Sequence, residues 1–294
     1  MLTKEEVVKK ENFVPNDKVN YRQKESPDNP IDYINKLKIK DIFRFIITHP
    51  DMDHLDGIRD LYSNFSVTNT WDTKNIKELD LKNFPKKYNP EDWKFYTSLR
   101  DGGYTDTKRL TYHAGDDNLY YNEDCIKILC PTPTLVKKAN EDGGDIHDLS
   151  YVLLFTPPKK GGGTWKIIFS GDSFDNSWDY ILKNYEDEVS NIDILFAPHH
   201  GRDSNRKYDF LKTLKPRVTL FGNASSEHLA YSCYPKTRIT NNQAGYVVID
   251  INEDRLLFLV KNKEFAVNYK NRRKWTQPAY YKEFDAYDLF QLNS

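Results

Sequence analysis

The segment HPDMDH, residues 49–54, is the chain's densest set of residues that can do chemistry. Two histidines and two aspartates stand within six positions, directly after an apolar run. Neutral imidazoles and carboxylates are the ligands that zinc and similar divalent ions take in proteins. In an extended loop, positions 49, 51 and 53 would point one way and position 54 the other, so one loop would serve two ions. The alternative is a solvated acidic loop in which Asp53 or Asp56 caps a helix.

Three other segments place a potential metal ligand beside an apolar run. Asp172 follows the run KIIFSG, the pair His199–His200 follows ILFAP, and His147 precedes SYVLLF. Taken singly, these residues fit a turn or a surface loop as well as a metal site. Ligands in α/β proteins gather where strands end, so together these segments and HPDMDH predict one site.

The elements that must position these residues alternate along the chain, which predicts an α/β fold of layered sheets. Asn29-Pro30 is typical of a helix start, and residues 42–48, IFRFIIT, have the apolar character of a buried strand. Residues 150–155 and 164–172 predict a strand pair joined by a glycine-rich turn. Residues 119–130, LYYNEDCIKILC, predict a hairpin, and AGYVVIDI with RLLFLV predicts a closing antiparallel pair.

The composition excludes several classes of protein. The 294 residues include 43 Lys and Arg against 44 Asp and Glu, a net charge of −1, which argues against nucleic-acid binding by bulk electrostatics. The sequence has no apolar run of about 18 residues and no apolar core of a secretory signal near its start. We therefore expect no membrane partner and a cytoplasmic location. Three cysteines, an odd number, are expected to be reduced and simply packed.

These motifs resemble the metallo-β-lactamase superfamily of hydrolases. Its signature is an HxHxDH loop followed by a His, a bridging Asp and a last His, each on its own strand-end loop. More narrowly, THPDMDHLDG, SYVLLF, IIFSGD and FAPHHGRDS resemble the hydrolase domain of the DNA-uptake competence protein ComEC and its stand-alone relatives. The resemblance covers about residues 30–255, with the motifs in the same order. Asp51 stands where the wider superfamily has His, and His147 where ComEC-like domains often have Asn.

The resemblance implies an αββα sandwich of two mixed sheets. It places the hydrolase domain at residues 29–260, an insert at about 65–123 and a C-terminal extension at 261–294. The family opens with a strand pair that carries a VGQGD-like turn, and residues 1–40 contain no such motif. The opening strands are therefore expected to be missing or degenerate, or the start to be truncated, with residues 1–28 a loose segment or a remnant of those strands.

The resemblance also implies two divalent metal ions, zinc or manganese, and a metal-bound hydroxide that attacks phosphorus or a carbonyl carbon. The implied ligands are His49, Asp51 and His147 for the first ion, Asp53, His54 and His200 or His199 for the second, and Asp172 as the bridge. Asp53 would also orient the nucleophile, and His228 would donate a hydrogen bond to the leaving group or to the phosphate. Arg202 and Ser204 would bind the substrate.

Three functions remain open at this point. The first is a phosphodiesterase or nuclease that acts on DNA, RNA or a phosphate-containing small molecule; the basic run NYKNRRKW, residues 268–275, with its flanking aromatic residues, would suit single-stranded nucleic acid. The second is a hydrolase of a small ester, lactone or amide. The third is a catalytically weak interaction protein on the same scaffold, whose insert would offer aromatic residues to a partner. Those aromatic residues are Trp71, Tyr88, Trp93 and Tyr104.

Overall fold

The computed structural model describes residues 20–23, 25–141, 144–224 and 228–294. Helices and three separate sheets make up this part of the chain, so the prediction of an α/β class is confirmed. The implied two mixed sheets are instead three, of which only the six-stranded sheet is mixed, because the strands facing it divide into a parallel and an antiparallel set. Most of the predicted loose segment, namely residues 1–19, lies outside the described residues. Within the described ranges, no helix combines the length and apolarity needed to cross a membrane.

The helices and strands are as follows. The helices are α1 (Pro30–Lys36), α2 (Met52–Leu55), α3 (Ile58–Asn64), α4 (Pro90–Arg100), α5 (Leu119–Glu123), α6 (Pro133–Ala139), α7 (Asp175–Val189), α8 (Phe210–Leu214), α9 (Asn241–Ala244) and α10 (Lys263–Arg272). The strands are β1 (Asp41–Ile46), β2 (Ser66–Trp71), β3 (Lys108–Leu110), β4 (Ile126–Cys130), β5 (Val152–Phe155), β6 (Ile167–Phe169), β7 (Ile194–Phe196), β8 (Val218–Phe221), β9 (Arg238–Thr240), β10 (Val247–Ile251), β11 (Arg255–Val260), β12 (Tyr280–Tyr281) and β13 (Ala286–Asn293).

The largest sheet has six strands in the order β4-β5-β6-β7-β8-β9. Strands β4, β5 and β6 are antiparallel neighbours, which confirms the predicted pair around the glycine-rich turn, and β6 to β9 are parallel. One face packs against α7 and α8, where the rings of Trp178 and Phe210 stack at 4.3 Å. Because both faces of the sheet are covered over most of its area, its strands are almost wholly apolar.

A four-stranded antiparallel sheet, β10-β11-β13-β12, packs against the opposite face. The predicted closing pair is confirmed as β10 and β11. Alternation along β11 directs Leu256, Phe258 and Val260 toward the six-stranded sheet and the residues between them toward the outside. On the outside, Tyr33 of α1 meets Tyr246 with ring centroids 4.9 Å apart. Helix α1 therefore covers the outer face.

The predicted C-terminal extension belongs to this sheet. Residues 261–294 contain α10, β12 and β13, and β13 pairs with β11 on one side and β12 on the other. Phe290 of β13 stacks on Phe258 at 4.5 Å. The segment is therefore an integral part of the sandwich, because Phe290 and Leu289 supply apolar surface that the facing sheet needs.

The third sheet is the parallel set β1-β2-β3. The predicted insert at 65–123 begins with β2, which pairs along β1 and so extends the main fold. Helices α3 and α4 cover the outer face with Tyr62, Trp93 and Tyr96. Trp71 lies on the inner face and packs with Tyr151, at the β4–β5 end of the six-stranded sheet. Two layers of sheet thus lie between two layers of helices.

The predicted hairpin at residues 119–130 is wrong in its first half. Residues 119–123 form helix α5, and only β4 is a strand. The side chain of Asn118 accepts a hydrogen bond from the backbone N–H of Tyr120 and so caps the helix. Tyr121 packs edge-on against Trp71 and Tyr112, which fixes the helix in the core. The cysteines are free thiols, as expected, but only Cys130 is buried.

The sandwich makes a testable prediction about its central aromatic contact. Phe258 is fully buried between the two sheets, whereas Phe43 of β1 is 53% exposed. We expect Phe258→Ala to lower the free energy of unfolding by about 3–5 kcal/mol and Phe43→Ala by less than about 1 kcal/mol. Urea denaturation of both metal-free variants measures the difference. Equal losses would contradict the packing of β11 against the six-stranded sheet.

Candidate metal centre

The candidate ligands converge at one edge of the sandwich because of how the strands run. Strands β6 and β7 are parallel, so Asp172 and the pair His199–His200, which follow them, emerge at the same edge. Strand β5 is antiparallel to β6 and begins at that edge, directly after His147. His49 follows β1 of the other layer and is fully buried.

The expectation that the HPDMDH segment is an extended loop is wrong. Residues 52–55 form the short helix α2, because Met52 and Leu55 both turn into the core beneath α3 and α4. This turn separates the segment into two parts. His49 and Asp51 precede the helix, while Asp53 and His54 lie on it, so the two pairs reach different halves of the site.

The His199–His200 pair sits on strained backbone. Both residues have positive φ, +53° and +57°, in the left-handed region that costs non-glycine residues roughly 1–2 kcal/mol each. Such strain persists where the surrounding structure imposes it, often at functional sites. Here it sends neighbouring imidazoles in different directions: His199 lies 5.0 Å from His147 and His200 lies 5.0 Å from His54, measured between ring centroids.

The first half of the site joins His49, Asp51 and His147. Oδ2 of Asp51 lies 3.8 Å from Nε2 of His49 and 3.6 Å from Nε2 of His147. The other oxygen of Asp51 accepts a hydrogen bond from the Lys77 ammonium group. Asp51 is therefore the carboxylate that holds the two imidazoles of this half together.

The second half joins Asp53, His54, Asp172 and His200. Nε2 of His54 lies 3.2 Å from Oδ1 of Asp172, and Nε2 of His200 lies 3.2 Å from Oδ2 of Asp53. The second residue of the histidine pair thus belongs to this half. His199 instead groups with His147 and Asp172.

Asp172 lies between the two halves. Its Oδ2 is 3.7 Å from Nε2 of His49 and 3.8 Å from Nε2 of both His199 and His200, while its Oδ1 faces His54. The residue is almost fully buried. One carboxylate therefore contacts imidazoles from two separate segments, one after β1 and one after β7, and so from both layers of the sandwich.

The spacing of these atoms fits a divalent ion. A tetrahedral zinc with bonds of about 2.0–2.1 Å holds its ligand atoms roughly 3.4 Å apart, and the imidazole–carboxylate distances here are 3.2–3.8 Å. Within the described residues, Nε2 of His49 is buried without a hydrogen-bond partner, and so are Nε2 of His54 and Oδ1 of Asp172, apart from their 3.2 Å approach to each other. Buried polar atoms normally have partners, and a bound cation would satisfy all three.

The protonation of the cluster is uneven. Burial lowers the pKa of His49 to about 3 and that of His199 to about 4, so both imidazoles are neutral and able to bind a cation. Burial also acts against protonation of His147, but Asp145 and Asp51 outweigh it and raise its pKa to about 10. Burial alone would raise the pKa of Asp172, yet the surrounding imidazoles hold it well below the usual carboxyl range.

Four residues that the sequence analysis missed support the ligands. Asp145 accepts from His147, with 2.8 Å between Oδ1 and Nδ1, and Lys77 pairs with Asp51. Thr48 Oγ1 lies 3.3 Å from Nδ1 of His49 and 3.4 Å from Nδ1 of His54. The fourth is Arg206, a buried residue that donates a hydrogen bond to the Ser173 carbonyl. Burial lowers the pKa of His199, and the charges of His147 and Arg206 lower it further. Of these four residues, only Asp145 could have been found from the local sequence, because a carboxylate two residues before His147 is close enough to contact its ring.

The remaining predicted site residues lie around the cluster. Arg202 has an exposed side chain. Burial lowers the pKa of His200, but Asp53 and Asp172 outweigh burial and raise that pKa, and the positive charge of Arg202 acts against the rise. Ser204 accepts a hydrogen bond from Nε of Arg206 at 3.0 Å. His228 is exposed and its carbonyl accepts from the Asp203 N–H. None of these three belongs to a ligand group in the described chain.

The surfaces suggested for a partner are largely used in packing. Trp71 and Trp93 of the insert are 1% and 2% exposed, so they are core residues rather than a docking surface. In the basic run 268–275, Lys270 is buried and paired with Asp288. Arg273 lies over the ring of Tyr269 at 3.6 Å. Only part of that run remains available to a nucleic acid.

Comparison of the chain with models of protein families and with curated proteins finds no match. The functional argument therefore depends on the side chains themselves. Five histidines and three aspartates form adjoining groups that share His147 and Asp172. Such a set can hold divalent cations, orient a water molecule between carboxylates, and accept or donate protons through imidazoles.

The contact between Asp145 and His147 generates a prediction. A carboxylate that accepts from the far nitrogen of a metal-binding imidazole orients the ring and makes it a better ligand, typically worth 10–100-fold in affinity. Asp145→Asn retains the side-chain oxygen that caps the turn at residues 146–149 but removes the charge. We expect zinc affinity, measured by competition with a chromogenic chelator, to fall about 10–100-fold.

A matched control exists elsewhere in the chain. Asp116 accepts from the backbone N–H of His113 at 2.7 Å and lies 3.7 Å from its ring, much as Asp145 does with His147. Asp116→Asn should leave zinc affinity unchanged. Equal effects of the two substitutions would show that the loss does not arise from orientation of His147.

Proposed function

We propose that this chain is a metal-dependent phosphodiesterase with a metallo-β-lactamase-like αββα fold, related to the ComEC-type hydrolase domains. The observation that carries the proposal is the single carboxylate of Asp172 between two groups of imidazole and carboxylate ligands. Shared carboxylates of this kind suit a pair of ions a few ångströms apart, the arrangement that two-metal phosphoesterases use.

The architecture supports the family part of the proposal. Two layers of sheet lie between helices, and the ligands follow β1, precede β5 and follow β6 and β7 in the order in which the family's motifs occur. All ligand-bearing loops open on one edge of the sandwich. The layers of the fold and the order of the motifs along the chain agree with each other in this respect.

The residues present would divide the work as follows. Divalent ions at such a site act as Lewis acids and lower the pKa of bound water. His49, Asp51 and His147 would hold one ion, Asp53, His54 and His200 the other, and Asp172 would face both. His199, which also faces Asp172, is a neutral imidazole beside His147 and extends the first group.

The protein supplies the rest of the chemistry through its own side chains. Asp53 is 43% exposed at its side chain and has a pKa lowered to about 2, because His200 and His54 outweigh the effect of burial. It is an ionised carboxylate at the solvent side of the cluster, able to accept a hydrogen bond from an entering water molecule. Asp145 and Thr48 fix the ring orientations of His147, His49 and His54 through their hydrogen-bonding atoms.

Phosphate is favoured over a carboxylic ester because two adjoining cation sites match the several oxygens of a phosphodiester. Arg202 is exposed and follows the His199–His200 pair closely in the chain, so it adds a positive charge near the candidate metal centre. Hydrolysis of a small ester, lactone or amide is the second candidate, since the same ligand set can polarise a carbonyl.

Metal content and turnover test the proposal together. Purified chain reconstituted with zinc or manganese should bind two ions and hydrolyse bis(p-nitrophenyl) phosphate. We expect His54→Ala and Asp172→Asn to reduce bound metal and to lower kcat/KM at least about 100-fold. His113→Ala, which changes a histidine outside the cluster, should leave both values unchanged.

Three results would argue against the proposal. Turnover of acyl esters without any turnover of phosphodiesters would favour the second candidate function. Fewer than one bound ion per chain in the reconstituted wild type would favour a catalytically weak interaction protein. If His113→Ala lost as much activity as His54→Ala, the activity would not depend on the ligand cluster.

A further inference from the structure

A cleft of about 410 Å³ opens between the sheets beside the candidate metal centre. Its walls are mainly apolar and come from both layers: Phe169, Phe196 and Leu220 from the six-stranded sheet, and Val247 and Ile249 from β10. Pockets of this size with mostly apolar walls and a few polar groups at one end are typical of small-molecule sites.

The cleft exists because the six-stranded and four-stranded sheets diverge toward the edge of the sandwich that carries the candidate metal centre. Ile167 of β6 is 1% exposed and packs in the core between the sheets, but Phe169, two residues further on the same face, is 38% exposed. Strand β7 shows the same change from Ile194, which is fully buried, to Phe196, which is partly exposed. The rings of Phe169 and Phe196 stack at 4.5 Å and form an uncovered aromatic floor.

The cleft is continuous with the metal centre. His54, Asp172 and His200, all of the second ligand group, are among the residues that line it, together with Thr48. A molecule whose reacting group contacts these three residues would therefore extend directly over the aromatic floor. No lysine or arginine contributes to the walls in the described part of the chain.

We propose that this cleft binds an apolar alkyl or aryl group of the substrate, so that the protein acts on small apolar phosphodiesters; this inference rests on the proposed phosphodiesterase function. The absence of lysine and arginine from the cleft walls in the described chain makes the cleft a poor path for a polynucleotide, whose further phosphates need positive charge along the groove. An apolar group gains affinity simply by leaving water.

The test compares two chromogenic diesters that share one leaving group, p-nitrophenyl hexyl phosphate and p-nitrophenyl methyl phosphate. Because each methylene removed from water adds a roughly constant increment of free energy, we expect kcat/KM to be roughly 10–100-fold higher for the hexyl diester. Val247→Trp fills the cleft and should abolish most of that preference. Val248→Trp makes the same change on the opposite face of β10, outside the cleft, and should preserve it.

A binding measurement separates failure of this inference from failure of the proposed function. The probe 1-anilinonaphthalene-8-sulfonate should bind the metal-free protein, and its fluorescence enhancement should be lost in Val247→Trp but kept in Val248→Trp. Equal kcat/KM for the two diesters, or unchanged probe binding in Val247→Trp, would overturn the proposal that the cleft binds an apolar group of the substrate. Normal probe behaviour without metal-dependent turnover of either diester would overturn the phosphodiesterase proposal and leave the cleft as an apolar binding site.

Discussion

The structure depends most on the buried carboxylate of Asp172. An ionised carboxyl removed from water is costly unless positive or hydrogen-bonding groups surround it. Here the imidazoles that surround it come from loops after β1 and β7; His49 is fully buried and the others are half-buried. The charge of one side chain is thus tolerable only when the two layers of the sandwich are assembled, which links the candidate site to the stability of the whole fold.

The supporting contacts show how that assembly is made specific. Thr48 contacts two of the imidazoles, Asp145 contacts a third, and Lys77 reaches Asp51 from the segment between β2 and α4. The left-handed backbone at His199 and His200 costs energy locally. Close packing around these two residues holds them in that conformation. A Cβ atom at Gly222 would lie 2.7 Å from the ring of His200, so this position must be glycine.

The sequence predicted those features that local pattern determines. Apolar runs located the strands that carry or adjoin the candidate ligands and the closing pair, but they did not locate β2, β3, β9, β12 or β13. Asn29-Pro30 began α1, and ligand-type residues at strand ends indicated a single site. It failed where tertiary contacts decide the outcome: residues 119–123 became a helix because Tyr121 fits between aromatic rings. The sequence also left His199 and His200 as alternatives. The structure places them in different ligand groups, and this depends on two positive φ angles that composition does not encode.

The candidate metal centre and the apolar cleft have one structural origin. Space for several imidazoles and carboxylates requires the layers to separate at the edge that carries them, and the same separation uncovers Phe169 and Phe196 on the inner face. A sandwich that closed over these rings would bury more apolar surface but would bring Val247 and Ile249 toward His54 and Asp172, which line the same cleft. The chain's balanced charge fits this arrangement, because a substrate held by metal ions at one end and by apolar contact at the other needs no broad basic surface.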